Sequence, residues 1–335
     1  MSESGGAVTR RVGVRDVARL AGVSSQTVSR VINEHPNIRP ETRGRVLEAM
    51  AALDYRVNNA ARALGTRTTR TLGVIASDAT LYGPSAGIGA LEAAAREVGH
   101  WVATAYANAA DAASVRSAAR HLLGQGVDGI IVVAPHARTL PILAELTPGV
   151  PLATLHGGLG AARQADAAAL AADHLAELGH ERIARLSGPE DWLEALAREA
   201  GTTRVLEGRG LVPGLRWVGD WSAAAGAAIA PAVAAAVRAP QGPTAVVVAN
   251  DQMALGLIAG LRMAGVDVPR EVSVTGFDDN PDAAFYSPPL TTVRLDLAGE
   301  ARRCVGEVLG HPTSDPSASP VLVIRASTAA PERRG

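Results

Sequence analysis

The 335-residue sequence contains no lysine; all 32 of its basic side chains are Arg. It has a single cysteine, Cys304, which excludes an intrachain disulfide and a Cys-based metal cluster. Aromatics are scarce, at four Trp, four Tyr and two Phe, so the place of each is informative. No apolar run approaches the ~18 residues of a membrane span, so no membrane partner is expected. The segment Met1 to Gly13 lacks the apolar core of a secretory signal, which predicts a cytoplasmic protein. What the chain does have is an apolar fraction of 47%, too high for a disordered protein, and a length that predicts more than one domain.

The net charge is −1, yet it is unevenly spread. Residues 1–70 carry 12 Arg and 6 Asp/Glu, a net +6, whereas residues 71–335 carry 20 Arg and 27 Asp/Glu, a net −7. A small basic head on a larger acidic body points to a DNA-contacting module joined to something else. A GC-rich coding bias accounts for the missing Lys and the 66 Ala. It does not place the excess charge at one end.

Val17, Ala18 and Ala21 share one helical face, and Gly22 then allows a left-handed turn. Ser24 is a good N-cap for a second helix, whose inward residues are Val28, Val31 and Ile32. Pro40 and Glu41 start a third helix, with Val46, Leu47, Met50 and Leu53 predicted on its buried side. Two short helices around a Gly turn, locked by a third, make a helix-turn-helix unit. Its second helix is the natural reader of the major groove. Ser25, Gln26 and Arg30 are predicted to face base edges, because Gln and Arg can each pair bidentately with a purine. Ser24, Thr27, Ser29 and Asn33 suit phosphate oxygens, which fix register. The alternative is the polar face of an ordinary helical bundle, but turn, cap and charge excess agree.

The string Val14 to Asn33, with its Asp-Val-Ala…Ala-Gly-Val-Ser…Thr-Val-Ser-Arg-Val…Asn pattern, resembles the headpiece of the LacI/GalR family of bacterial transcription regulators. The likeness continues through Thr42-Arg43, Val46, Met50, Leu53 and Tyr55 and extends to about residue 328; Val57 stands where the family usually has Pro. The resemblance implies a headpiece over 1–57, a hinge helix and linker over 58–70, and an effector-binding, dimerising body over 71–330. The hinge segment holds Asn58, Ala61 and Leu64. Too short to be stable alone, its helix would form only when docked. The family's role for the position of Leu64 is an apolar wedge in the minor groove; a packing contact at the domain junction is the alternative.

From Thr71 the pattern alternates between strand and helix. Strands are predicted near 72–76, 101–106, 129–133 and 151–155, then near 182–187, 216–219, 244–249 and 272–276, with a last one at 321–325. Helices are predicted near 84–99, 111–125, 138–146, 166–178, 191–208, 222–238 and 250–264. This alternation means parallel sheets covered by helices. The expected fold is thus a small all-α helix-turn-helix headpiece plus an α/β body of two doubly wound parallel-sheet subdomains, periplasmic-binding-protein-like. The first subdomain is expected over about 71–165 and 296–320, the second over about 166–295 and 321–330.

Ligands bind beyond the carboxyl ends of such strands. The polar and aromatic residues there are Tyr82 to Ser85, Arg198, Trp221, Asn250-Asp251 and Asp278-Asp279. The chemistry suits a sugar. Arg198 offers a fork of donors for vicinal hydroxyls, Asp278 offers acceptors, and Asn250 does both. An indole such as Trp221 can cover the apolar face of a pyranose. Plainer roles stand beside these: helix caps for Asp251 and Asp279, a one-turn pair with Glu194 for Arg198, and core packing for Trp221.

The strings around Arg198, Trp221, Asn250, Asp278 and Pro288 to Thr292 resemble the lac-repressor-like branch of the family. That resemblance implies a galactoside or related sugar effector, bound by Arg198, Trp221, Asn250 and Asp278 with Leu81, Pro84 and Ser85. The chain departs from the branch at His156, Glu194, Leu295 and Leu297, which reshape the same pocket, and in a shortened stretch from Gly157 to Ala165. Glu194 could neutralise Arg198.

An enzyme is not expected. Asp278 and Asp279 are neighbours that point apart, a poor acid–base pair, and no nucleophile elbow, P-loop or metal-spaced His pair is present. No catalytic residue, metal or cofactor is predicted, and His156, His174 and His180 read as surface or helix-end residues. The expected partners are near-palindromic operator DNA, a small sugar and a second copy of the chain. No terminal Leu heptad is present, which favours a dimer over a tetramer. A non-sugar effector, a co-repressor, or a freestanding solute-binding protein are the alternatives.

Overall fold

The structure, a computed structural model, describes residues 12–33, 35–55, 68–77, 80–211, 214–311 and 317–332. The chain divides into two compact units, Met1–Thr69 and Arg70–Gly335.

In the first unit, α1 (Val14–Ala21) ends at Gly22, whose φ of 65° closes the helix in the left-handed region. Ser24 then caps α2 (Ser25–Ile32), its Oγ accepting from the Thr27 N–H at 3.1 Å. Pro40 opens α3 (Pro40–Ala52) at a position where the missing N–H costs nothing. Val17, Ala18, Ala21, Val28, Val31, Val46 and Ala49 form the core. One predicted core residue is misplaced: Leu47 is exposed, and the buried face of α3 runs through Val46 and Ala49 instead. Asn58, Ala61 and Leu64 lie outside the described residues.

The second unit contains two parallel four-stranded sheets. The first is built from β1 (Thr71–Ala76), β2 (Trp101–Tyr106), β3 (Gly129–Val133) and β4 (Leu152–Thr154), in the order β2-β1-β3-β4. Helices α4 (Tyr82–Glu97), α5 (Ala112–Gly124) and α6 (Thr139–Leu146) connect them. Helix α7 (Leu159–Glu177) leads into the second sheet, β5 (Ile183–Ser187), β6 (Arg216–Val218), β7 (Ala245–Val248) and β8 (Ser273–Thr275), in the order β6-β5-β7-β8. Its connecting helices are α8 (Leu193–Gly208), α9 (Ala223–Arg238) and α10 (Asp251–Met263). The central strands β1, β3, β5 and β7 are almost wholly buried, as strands of two-faced parallel sheets are, with Arg185 of β5 the one charged interruption of their mostly apolar runs.

The strand–helix alternation and the subdomain bounds were legible; the elements of the return path were not. β9 (Thr292–Arg294) and α11 (Leu297–Val308) occupy a stretch to which the pattern assigns no element. A three-residue strand carries too little alternation to register, and α11 is interrupted by Gly299 and Gly306. β9 pairs antiparallel with β10 (Val321–Val323) and packs with it on α7, whereas α11 packs on α4, β3 and β4. The chain therefore passes between the lobes after β4, between β9 and α11, and again before β10. Helix α7 also begins at Leu159 rather than near 166, so most of the shortened stretch from Gly157 to Ala165 is helical. Glu300 ties the crossings together. Its carboxylate accepts from the His156 N–H at 3.1 Å, from Arg163 at 2.9 Å and from Arg303 at 2.7 Å. Burial works to raise this carboxyl, but the bonds and charge of Arg303 outweigh it and hold it below the usual range.

Candidate functional site

In sheets with these strand orders the chain reverses direction of winding between the two central strands, and a crevice opens beyond their carboxyl ends. Both lobes turn that crevice toward one cavity of about 620 Å³, part of it open to solvent. The first lobe supplies Leu81, Tyr82, Gly83 and Pro84 at the start of α4, Val133 and Ala134 after β3, and Leu155 and His156 after β4. Leu295 and Leu297 come from the crossing into α11. The second lobe supplies Trp192, Glu194 and Arg198 on or just before α8, Trp221 after β6, Asn250 before α10 and Asp278 after β8. Ten of the eleven sequence-predicted effector residues meet here. Ser85 does not; it is exposed on α4. Val133, Ala134, Leu155 and Trp192 were missed, and only Trp192, one of four tryptophans and placed just after a strand end, carried a signal that could have found it.

The wall is conformationally strained. Ala134, His156, Trp221 and Asp278 all line the cavity and have φ of 55°, 61°, 75° and 107°. Each left-handed non-glycine residue costs about 1 kcal/mol or more, and such residues collect where a site over-determines them. Gly188 makes room for the Trp221 ring: a Cβ there would meet Cζ2 at 2.2 Å.

Arg198 is the hub. Nε donates to Gln164 Oε1 at 2.7 Å, Nη1 to the Ala249 carbonyl at 2.5 Å, and Nη2 to Asp278 Oδ1 at 3.3 Å. Its guanidinium also lies 3.8 Å over the Phe277 ring and 5.5 Å from that of Trp221. The one-turn pair with Glu194 considered for it does not form. Glu194 is buried, and its Oε2 has no hydrogen-bond partner.

Asn250 is the N-cap of α10. Its Oδ1 accepts from the Met253 N–H and its Nδ2 donates to the Trp221 carbonyl, both at 2.9 Å. Its amide therefore positions Trp221. Asp251 and Asp279 are not caps. Asp251 accepts from Thr292 Oγ1 at 2.5 Å and the Asn280 N–H at 2.8 Å, and Asp279 pairs with Arg294 and Arg325.

Burial dominates the titration of this region. It raises Asp251 to about 8, with repulsion from Asp278 adding to the effect. It raises Glu194 to about 7 and Asp278 to about 6, each against the pull of Arg198. It lowers His156 to about 4, opposed by Glu300. His156 is thus a cavity wall residue rather than a surface one. His180 is also buried, bonded to Thr244, Ser273 and the Ala329 carbonyl, and His174 meets Thr328.

Beside the cavity the lobes touch directly. His136 Nδ1 lies 3.0 Å from Asp191 Oδ2, its ring is 4.7 Å from that of Trp192, and the Tyr82 N–H donates to Gln252 at 3.0 Å. Trp192 and Trp221 are 5.5 Å apart with planes inclined at 59°.

On α2 of the first unit, Ser25, Gln26, Ser29 and Arg30 are exposed together. Ser24 and Thr27 share a hydroxyl–hydroxyl bond of 2.9 Å, and Asn33 ends the helix, its Nδ2 3.5 Å from Ser29 Oγ. Among the described residues no helix is long and apolar enough to cross a membrane.

A helix-turn-helix unit joined to a two-lobed body, with a largely apolar cavity that carries a few charged and amide side chains, defines the class of DNA-binding regulators with an internal binding cavity. Residues 14–58 match the profile of the bacterial regulatory proteins of the lacI family, and residues 172–328 that of the periplasmic binding protein-like domain. The lactose operon repressor of Escherichia coli (strain K12) is 33% identical over 336 aligned positions, covering 94% of this chain and 90% of that protein. The HTH-type transcriptional repressor PurR of Vibrio parahaemolyticus is 31% identical over 290 positions, covering 84% of this chain and 86% of that one. The crystal structure of the lac repressor dimer bound to operator and the anti-inducer ONPF is similar with a TM-score of 0.79, 31% identity, and coverage of 96% of this chain and all of that one. The chain belongs to the lacI family of bacterial transcriptional regulators.

Proposed function

We propose that the protein is an operator-specific repressor, acting as a homodimer, whose DNA affinity is set by a small carbohydrate bound between the two lobes. A galactoside or a related sugar is the favoured effector. The observation that carries the reading is the convergence of Arg198, Asp278 and Glu194 with Trp192 and Trp221 in one cavity built from both lobes. Forked donors and carboxylate acceptors suit vicinal hydroxyls, and indole faces suit the apolar side of a pyranose. A purine is the rival, because PurR is among the relatives. The two indoles are inclined at 59° and offer no parallel slot for a flat base, which favours the sugar.

In this reading Ser25, Gln26 and Arg30 contact base edges, and Ser24, Thr27, Ser29 and Asn33 contact the DNA backbone. Asn58, Ala61 and Leu64 form the minor-groove hinge. Two headpieces occupy two half-sites of a near-palindromic operator. An effector that fits one arrangement of the lobes better than another shifts their equilibrium and, through coupling, the affinity for DNA. Thermal-shift screening of sugars and nucleobases, followed by operator binding with each hit, tests this. A shift with sugars and a loss of operator affinity is the expected result; stabilisation by nucleobases alone overturns the carbohydrate reading.

A further inference from the structure

The cavity holds more acid than base. Among the described residues that line it the carboxyls are Glu194 and Asp278, and the permanent cation is Arg198. Arg198 is already committed, with its charge matched by Asp278 and further N–H groups taken by Gln164 and the Ala249 carbonyl. His156, the other basic side chain in the wall, is held uncharged at neutral pH by burial. Glu194 is left over. It is 7% exposed, and its Oε2 is shut off from solvent without a hydrogen-bond partner. A buried polar atom in that condition carries a desolvation penalty that a ligand donor would relieve. Trp221 Nε1 is a second wall atom without a partner, and it can only donate.

We propose that the effector carries a protonated amine, as an amino sugar does, and that its ammonium group pairs with Glu194 while a ring or hydroxyl oxygen accepts from Trp221 Nε1. This rests on the carbohydrate reading above and narrows it. A sugar hydroxyl could bond to Glu194, but it would leave the charge of the ionised carboxylate unmatched. An ammonium supplies the donor and the charge together. With Arg198 and Asp278 cancelling and Glu194 ionised, a cationic ligand brings the cavity to neutrality and a neutral one leaves it at −1. The Trp192 indole in the same wall offers a face that attracts cations. Arg198 on the same helix and Asp278 across the cavity are the charged groups that act on Glu194, and burial pushes its carboxyl up to about 7. Pairing with an ammonium ion favours the ionised carboxylate, so binding near neutral pH releases a proton.

Calorimetric titration of the full-length protein at pH 7 tests the proposal with matched pairs: galactose and galactosamine, glucose and glucosamine, cellobiose and its doubly aminated counterpart. At least one amino sugar should bind tenfold or more tighter than its neutral partner, with a binding heat that varies with buffer ionisation enthalpy because a proton is released. In Glu194→Gln the ratio should fall close to one. Neutral sugars that bind as well as their amino counterparts overturn the proposal and leave the carbohydrate reading standing. Persistence of the preference in Glu194→Gln removes Glu194 from the contact. If no sugar of either kind binds, the carbohydrate reading itself falls and the proposal falls with it.

Discussion

Arg198 gives its charge to Asp278, 80 positions away in sequence, and not to Glu194, which stands one turn from it on the same helix. That choice couples α8 to the end of β8 across the second lobe and leaves an acid unmatched in the cavity. Removing Arg198 would strand Asp278, and breaking a buried pair by deleting one partner costs about 3–5 kcal/mol. Arg198→Ala should therefore lower the melting temperature as well as abolish the effector response. Arg198→Lys separates the two effects: it keeps the charge but cannot serve Gln164, Ala249 and Asp278 in one plane. It should fold, bind operator and fail to respond to effector. A Lys variant with a normal response would remove the forked geometry from the recognition argument.

Gly188 is predicted to be a packing determinant of the cavity. Adding one methyl there places it about 2.2 Å from the Trp221 ring, so the indole must move. Overpacking of this kind costs about 1–3 kcal/mol. Gly188→Ala should weaken effector binding by tenfold or more and change the tryptophan emission spectrum, while operator affinity without effector stays within a factor of about two. A changed spectrum with unchanged effector affinity would show that Trp221 does not contact the ligand.

Arg30 is exposed on α2, clear of the headpiece core. A bidentate contact to guanine is worth about 1–3 kcal/mol of discrimination. Arg30→Ala should reduce operator affinity about five- to a hundredfold and leave binding to random DNA within threefold, by fluorescence anisotropy at fixed salt. Equal losses on both DNAs would make Arg30 a phosphate contact.

The raised carboxyls predict a stability that falls with alkalinity. Asp251, Glu194 and Asp278 have folded values of about 8, 7 and 6, all above the ~4 of an unfolded carboxyl. Stability from such groups is complete below about pH 4 and is lost as pH rises through their folded values. His156, depressed to about 4, acts in the opposite sense: its contribution is present above its usual 6.5 and lost as pH falls toward 4. Above pH 6.5 the carboxyls act unopposed by it. The melting temperature should decline from pH 6.5 to 8.5, and Asp251→Asn, which can still accept from the Asn280 N–H and meet Thr292, should flatten that decline. Parallel curves for the two proteins would refute the assignment to Asp251.

Much of the fold and of the cavity lining was readable from local pattern. Gly22 and Ser24 announce the turn and the cap because both act within a few residues. The runs ending at Ala76, Val133, Ser187 and Val248 announce buried parallel strands, and the polar residues just beyond them fall in the cavity because parallel sheets bind ligands at that edge. Leu47 was misread because a 13-residue helix leaves several apolar residues to choose between, and the packing partner selects the face. Asn250 was legible as a cavity residue, but its amide is spent on the α10 cap and on Trp221. A capping motif and a ligand contact look alike in sequence. His180 reads in sequence as a surface or helix-end residue. It does follow the end of α7, but its burial was not legible because its three side-chain bonding partners lie far along the chain.

The sequence alone determines the helix-turn-helix unit, the alternation that makes two parallel sheets, and the cluster of polar and aromatic residues at their carboxyl ends, since periodicity, capping and strand-end position are local properties. Only the tertiary structure decides which acid neutralises Arg198, that Trp192 joins the cavity, and that Glu194 is left unmatched. Those outcomes depend on distances between side chains carried by separate lobes and strands, and no spacing along the chain encodes them.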